Sequence, residues 1–170
     1  MVILGISAYH GDSAAAILLD GRIVAAVEEE RFTRVKHWAG LPLQSIRYCL
    51  DNAGFSLDQV DYIAVNRNPQ ANLMRKIAFV AGRRTPWSFL KDRLKNRRKI
   101  LTIEDRLGES FHCDPKLLTR KMKRVEHHLA HAASAYCMSG FDKAAILTVD
   151  GFGDWSSTLS ALGERERSSP

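Results

Sequence analysis

Two stretches of this chain carry the same pattern 143 positions apart. The first, ILGISAYHGDSAAAIL, starts at Ile3; the second, ILTVDGFGDWSSTLSAL, starts at Ile146. Each reads as an apolar strand, a polar turn containing glycine, and a second strand. Under the shift Ile3 meets Ile146, Leu4 meets Leu147, Ile6 meets Val149, Tyr9 meets Phe152 and Ser13 meets Ser156. Two such hairpins separated by a domain's length point to a duplicated fold, with one full lobe followed by the opening hairpin of another.

The segments between the copies fit that reading. Strands are expected at 2–8, 13–19 and 22–30, the last two joined by Asp20-Gly21, a strong two-residue hairpin signal. Leu43, Ile46, Leu50 and Ala53 give a helix at about 43–53, and Gly54 supplies its stop. A short strand follows at 61–66. Residues 70–110 read as helical and basic, with Pro86 opening a helix. RVEHH (124–128) ends a strand or enters a helix, 128–140 is helical, and 144–150 and 156–162 are strands. A three-strand meander followed by alternating helix and strand is an α/β, ribonuclease-H-like order, β-β-β-α-β-α-β-α. The expected organisation is a first lobe at 1–145 with a basic helical insert at about 70–115, an incomplete second lobe at 146–163, and a polar tail at 164–170.

Composition narrows the function classes. Of the 170 residues 45% are apolar, enough for a packed core, yet no run approaches the ~18 apolar residues of a membrane span. The N-terminus has no basic region ahead of a cleavable apolar stretch, so no signal peptide is expected. Cys49, Cys113 and Cys137 are few and far apart, which argues against a disulfide scaffold or a cysteine zinc site. Together these features predict a cytoplasmic protein with no membrane association. The net charge is +6, but residues 75–99 alone carry ten Lys/Arg against one Asp. A near-neutral protein with one basic insert is a weak nucleic-acid candidate. The segment RRTPWSFLKDRLKNRRK fits either an inserted helical hairpin with a solvated basic face or a surface for RNA or anionic lipid.

Chemistry gathers in the turns and in VEHHLAHAASAY (125–136). His127 and His131 are four apart, which on a helix sets both rings on one face, about 5–6 Å apart at Cβ, while His128 points elsewhere. Such a pair can share a metal ion if a carboxylate joins it, and Asp150, at the end of an expected buried strand, is the best local candidate. A polar helix edge and a turn-capping aspartate are the plainer alternatives. Gly151 and Gly153 would let backbone N–H groups approach a phosphate. In the first copy's turn His10, Asp12 and Ser13 can face the same cleft. The carboxylates of VEEERFTRVKH (27–37) read as surface charge paired with Arg31 and Arg34, with Arg31 or His37 as possible cleft residues.

LGISAYHGDSAAAILLDGRIVAAVEEERFTRVKH, VEHHLAHAASAY and ILTVDGFGDWSSTLSALGE, in this order and spacing, resemble the N-terminal part of the O-carbamoyltransferases of the nodulation-factor, cephem and tobramycin type. The resemblance covers about residues 2–66 and 121–163. It implies an actin-like, duplicated ribonuclease-H-like domain related to the tRNA threonylcarbamoyl-transfer enzymes. It further implies transfer of a carbamoyl group, from a carbamoyl adenylate made from carbamoyl phosphate and ATP, to a hydroxyl of a small-molecule acceptor. A divalent metal of the iron type is implied, with His127, His131 and Asp150 matching its ligands. His10, as base, and Asp12, as its orienting group, match the residues that look toward carbamoyl group and acceptor. Gly151 and Gly153 fall in the nucleotide-facing loop. Family members run to several hundred residues, so the expectation is an N-terminal fragment inactive alone, whose remainder is lost or separately encoded.

Overall fold

A computed structural model describes residues 1–72, 102–154 and 156–165. The basic stretch at 75–99 lies outside the described residues. The described chain forms two compact units, residues 1–66 with 102–124, and residues 67–72 with 125–154 and 156–165.

The first unit is built on a five-stranded sheet. Strands β1 (Val2–Ser7), β2 (Ala14–Leu19) and β3 (Arg22–Glu28) form the expected antiparallel meander. Its β2–β3 turn places both Asp20 (φ 49°) and Gly21 (φ 80°) in the left-handed region, as a two-residue hairpin turn of this type requires. Strand β4 (Tyr62–Val65) pairs parallel to β1, setting Leu4 beside Ile63 and Ile6 beside Val65. Strand β5 (Met122–Arg124) pairs parallel to β4. The order is β3-β2-β1-β4-β5, three antiparallel strands continued by two parallel ones, the ribonuclease-H-like arrangement expected from the sequence.

One face of this sheet holds the core. Val2, Leu4 and Ile6 alternate along β1 with half-buried neighbours and pack with Ala15, Ile17, Ile63 and Val65. Helix α1 (Glu30–Thr33) is a single turn that leads out of β3. Helix α2 (Leu43–Ala53) presents Ile46, Cys49 and Leu50 to the core, and Gly54 (φ 74°) ends it in the left-handed conformation. Cys49 is a packing residue: burial pushes its thiol up to about 11, and its Sγ lies 3.5 Å from the Ala15 carbonyl. Helices α3 (Ile103–Phe111) and α4 (Pro115–Lys121) add Ile103, Leu107 and Leu118 to the same core. Asp114 caps α4 by accepting from the Lys116 N–H, with Pro115 at the first helical position. Helix α4 lies between the basic stretch and the histidine block, where the periodicity alone gave no element.

Glu29 corrects the reading of 27–37 as surface charge. Its side chain is buried at the start of α2, where it accepts from the Gln44 N–H (3.1 Å), the Ser45 N–H (2.7 Å) and the Ser45 hydroxyl (2.7 Å). The helix's own first residue before α2, Pro42, has no side chain that can cap. A carboxylate from a neighbouring element therefore satisfies the orphan N–H groups and the positive end of the helix dipole. Glu28, by contrast, pairs with Arg31 on the surface as expected.

The second unit contains helix α5 (His127–Ser139) and the hairpin β6 (Lys143–Gly153) and β7 (Ser156–Glu164). Helix α5 thus groups with the hairpin, ahead of the boundary near 145 expected from the sequence. The repeat holds at the level of register. Leu4 pairs with Ile17 and Leu147 with Ser160; Ile6 pairs with Ala15 and Val149 with Thr158. Each second pair is the first shifted by 143. Gly163 on β7 is a close-approach position, since a Cβ there would lie 2.6 Å from the Tyr136 ring of α5. No helix among the described residues is long and apolar enough to cross a membrane.

Removing the Glu29 carboxylate leaves buried N–H groups at the start of α2 without an acceptor. Glu29→Ala is expected to lower the unfolding free energy by about 2 kcal/mol, read as a lower urea midpoint with unchanged far-ultraviolet circular dichroism. Glu29→Gln, which keeps one acceptor oxygen, should lose less.

Candidate metal centre

In the second unit the chain enters α5 through Glu126, whose extended backbone and side chain cap the helix by accepting from the Leu129 N–H at 2.7 Å. A second carboxylate serves the same helix end. Asp154 Oδ2 accepts from the His127 N–H (3.1 Å) and the Asn68 N–H (2.9 Å), while the Asn72 amide donates to the Asp154 carbonyl (2.9 Å). His127 therefore sits in the first turn of the helix, so the i, i+4 relation to His131 is realised on helical backbone.

The three sequence candidates for a metal centre come together. His127 Nε2 lies 2.6 Å from Asp150 Oδ2, His131 Nε2 lies 3.2 Å from His127 Nε2, and His131 Nε2 lies 3.7 Å from Asp150 Oδ2. One ligand atom from each falls within 4.8 Å of the others, the one such group of three or more potential metal-ligating side chains among the described residues. The two imidazole rings stand edge to face, with centroids 4.6 Å apart. Asp150 is held below the usual carboxylate range, chiefly by the hydrogen bond from His127, then by the Gly151 N–H donating to its Oδ1, with the nearby imidazoles adding to the effect.

His128 takes a different role, on the different face that its position in the helix predicts. It is fully buried, with Nδ1 2.9 Å from Thr148 Oγ1 and Nε2 3.0 Å from the Ser156 carbonyl. A carbonyl only accepts, so Nε2 carries the proton and Nδ1 accepts from the threonine hydroxyl. Both ring nitrogens are used in binding the helix to the hairpin. Neither Asp154 nor the structural part of His128 was legible in the sequence. The signal for Asp154 was the second aspartate of DGFGD, which reads as an ordinary turn residue.

The phosphate-approach glycines remain an expectation. Gly151 follows Asp150 on β6 in open space, where an added Cβ would meet nothing within 4 Å. Gly153 pairs with Ser156 across the hairpin.

His10 and Asp12 belong to the first unit. Their loop is fastened to residues 37–40 by Tyr9 N–H to the Gly40 carbonyl (3.1 Å) and Ser13 N–H to the Trp38 carbonyl (3.0 Å). The buried Ser13 hydroxyl reaches the carbonyls of both His10 (3.1 Å) and Gly40 (2.9 Å). Tyr9, Asp12 and His37 all adopt left-handed backbone, φ 57°, 63° and 55°. Asp12 Oδ1 lies 2.9 Å from His37 Nδ1, and His10 Nδ1 lies 3.2 Å from the Gly11 carbonyl. Asp12 thus holds His37, which the sequence offered only as a cleft residue.

Comparison with known proteins agrees with the motifs. The family described as carbamoyltransferase N-terminus matches residues 2–169. The uncharacterized protein sll1178 of Synechocystis sp. is 44% identical over 174 residues, covering 99% of this chain and 28% of that protein. Nodulation protein NolNO of Sinorhizobium fredii is 40% identical over 153 residues, covering 89% of this chain and 21% of NolNO. YeaZ from Pseudomonas aeruginosa aligns in structure at 19% identity and a TM-score of 0.45, over 88% of this chain and 55% of that one, a likeness too loose to add to the topology above. The chain thus spans between a fifth and a third of the length of these two sequence relatives. With its three motifs inside one continuous match, the chain belongs to the carbamoyltransferase N-terminus family.

Proposed function

We propose that this chain is the N-terminal part of a metal-dependent carbamoyltransferase, and that His127, His131 and Asp150 hold a divalent ion of the iron type. The observation that carries the reading is the convergence of three ligand atoms within 4.8 Å. The donor set fits the ion. His127 Nε2 holds at most one proton, yet it faces both Asp150 Oδ2 at 2.6 Å and His131 Nε2 at 3.2 Å. One proton on Nε2 would have to serve both contacts, whereas a cation shared by the three groups meets a lone pair from each. Two imidazoles and a carboxylate are a common set for zinc or ferrous iron.

The rest of the reading follows the family. The reaction moves a carbamoyl group from carbamoyl adenylate, itself made from carbamoyl phosphate and ATP, to a hydroxyl of a small-molecule acceptor. When bound, the ion supplies a Lewis acid for a carbonyl or phosphate oxygen. The protein's own groups do the remaining work. His10 takes the proton of the acceptor hydroxyl, and Asp12 with His37 shapes the loop that carries it. Gly151 and Gly153 leave the backbone open to the nucleotide phosphate. Adenylation and most nucleotide contacts fall to segments that the longer family members carry, so carbamoyl transfer needs them.

Metal binding tests the reading without activity. Purified chain reconstituted with Co(II) is expected to take up about one equivalent and to show d–d absorption of a nitrogen–oxygen site. His127→Ala and Asp150→Asn should each weaken binding at least tenfold while keeping the wild-type circular dichroism. Equal uptake by wild type and both variants would rule the centre out.

The pH dependence has a defined sign. Imidazole binds metal only when neutral, whereas Asp150, held below the usual carboxylate range, stays charged through mildly acid solution. Co(II) affinity should therefore fall as the solution is made acid, because protons compete for the imidazole lone pairs. Affinity that does not change on acidification would point to a site without the histidines.

A further inference from the structure

The loop after β1 carries a residue pair that the metal centre and its chemistry leave unused. Tyr9, directly before His10, holds left-handed backbone at φ 57°, a conformation that a bulky side chain rarely adopts. The fold keeps it there from two sides. Its N–H donates to the Gly40 carbonyl at 3.1 Å, and its hydroxyl accepts from Arg106 Nη1 at 2.7 Å. The guanidinium carbon also lies 5.9 Å from the centre of the Tyr9 ring, within the range of a cation–π contact. Arg106 comes from α3, whose Ile103 and Leu107 are buried in the core, so the helix is fixed while the guanidinium itself is exposed. The Tyr9 loop leaves the carboxyl end of β1 beside that of the parallel strand β4, where Asn66 Nδ2 donates to Ser7 Oγ at 3.2 Å. Chain order reverses between these two strands, and the carboxyl ends at such a point form the usual ligand-facing edge of a sheet.

Charge distinguishes Arg106 from the other arginines of the first unit that have a fixed partner. Arg31 and Arg124 each lie against a carboxylate, Glu28 and Glu104. Arg106 is positioned by a neutral phenol, and among the described residues it enters no ion pair. A guanidinium offers five N–H donors in a planar fork suited to a carboxylate or a phosphate, and a fork already held in place loses less freedom on binding one. We propose that Arg106, held by Tyr9, is a specificity residue that binds an acidic group, carboxylate or phosphate, of the hydroxyl-bearing acceptor. Assignment to the acceptor rests on the carbamoyl-transfer reading above; anion binding by Arg106 does not. The acceptor, and not the nucleotide, supplies the acidic group, because Tyr9 and Arg106 share the first unit with His10, the proposed base. Gly151 and Gly153, proposed to meet the nucleotide phosphate, belong to the second unit. At the matched position of the second hairpin Phe152 keeps the aromatic ring without the hydroxyl, so the anchor for an arginine is particular to the first copy.

D-glucuronate and D-glucose test this on the full chain, since they share a ring of hydroxyls and differ in a carboxylate against a hydroxymethyl group. NMR titration is expected to show glucuronate binding about tenfold more tightly than glucose, a difference that one charge-assisted guanidinium–carboxylate contact supplies. The Arg106 Nε–H resonance should shift as the site fills. Arg106→Gln should abolish the preference, and Arg106→Lys, which keeps the charge without the fork, should retain part of it. Tyr9→Phe leaves the charge but removes its anchor, and should weaken the preference about threefold. Because the Arg106 side chain is exposed, Arg106→Gln should keep the circular dichroism and the Co(II) uptake of the wild type. Equal binding of the two sugars overturns the proposal, as does the absence of glucuronate binding at millimolar concentration or a preference that survives in Arg106→Gln. Intact Co(II) uptake beside any of these results leaves the metal centre standing, so the two readings fail separately. AMP is the second probe: an Arg106→Gln variant that loses AMP and not glucuronate would assign the guanidinium to the nucleotide phosphate and overturn the acceptor role.

Discussion

His128 is the contact on which the second unit depends. Its two ring nitrogens hold Thr148 on β6 and the Ser156 carbonyl at the start of β7, and so lock the helix to both strands of the hairpin. Two periodicities meet at that point. Along β6 the side chains alternate, so Thr148 and Asp150 share the side facing α5. Along α5 the four-residue spacing brings His127 and His131 onto one face, adjacent to the face of His128. With the Thr148–His128 contact made, Asp150 lies beside His127. The buried His128 thus fixes the register in which His127 and His131 stand beside Asp150.

The repeat shows why the histidine–carboxylate cluster forms on the strand of the second copy and has no counterpart on β1. Thr148 and Asp150 are the equivalents of Gly5 and Ser7, small residues on the half-buried side of β1. Replacing a glycine by a hydroxyl and a serine by a carboxylate at matched positions converts a packing surface into a polar one without altering the hairpin register. The same frame carries an apolar core on one side in the first unit and a histidine–carboxylate cluster on the other side in the second.

Much of this was legible in the sequence, for identifiable reasons. The meander, α2 and the final hairpin follow from local apolar spacing, and the 143-residue repeat was accurate to the pairing of individual residues. The i, i+4 histidines were legible because helix period is a local signal; Asp150 was legible as a candidate, although it lies inside β6, which runs on to Gly153 and exposes Leu147 and Val149, and not at the end of a buried strand. What the sequence hid were contacts between elements distant along the chain. Glu29 looks like one of three surface acids, and only the approach of α2 buries it. Asp154 looks like a turn residue, yet it caps a helix 27 positions upstream. Asp12 was read with its near neighbour His10, whereas its partner His37 is 25 residues away, reached because two loops are stitched through Ser13. Local pattern gives which residue types are present; partner choice is decided by packing.

The gradation of exposure across the metal-centre candidates bears on what such a centre is for. The His127 side chain is 7% exposed, that of Asp150 36% and that of His131 52%. A structural metal site is closed, with four protein ligands around the ion, whereas a catalytic one keeps a position open for substrate or water. Here the donors among the described residues run from buried to half-solvated, so the cluster has a protein side and an open side. The buried donor is also the one fixed most firmly, by the Asp154 contact to its backbone and the Asp150 contact to its ring. On the proposed reading, a fixed inner ligand and a more exposed outer one suit an ion that must meet an incoming group.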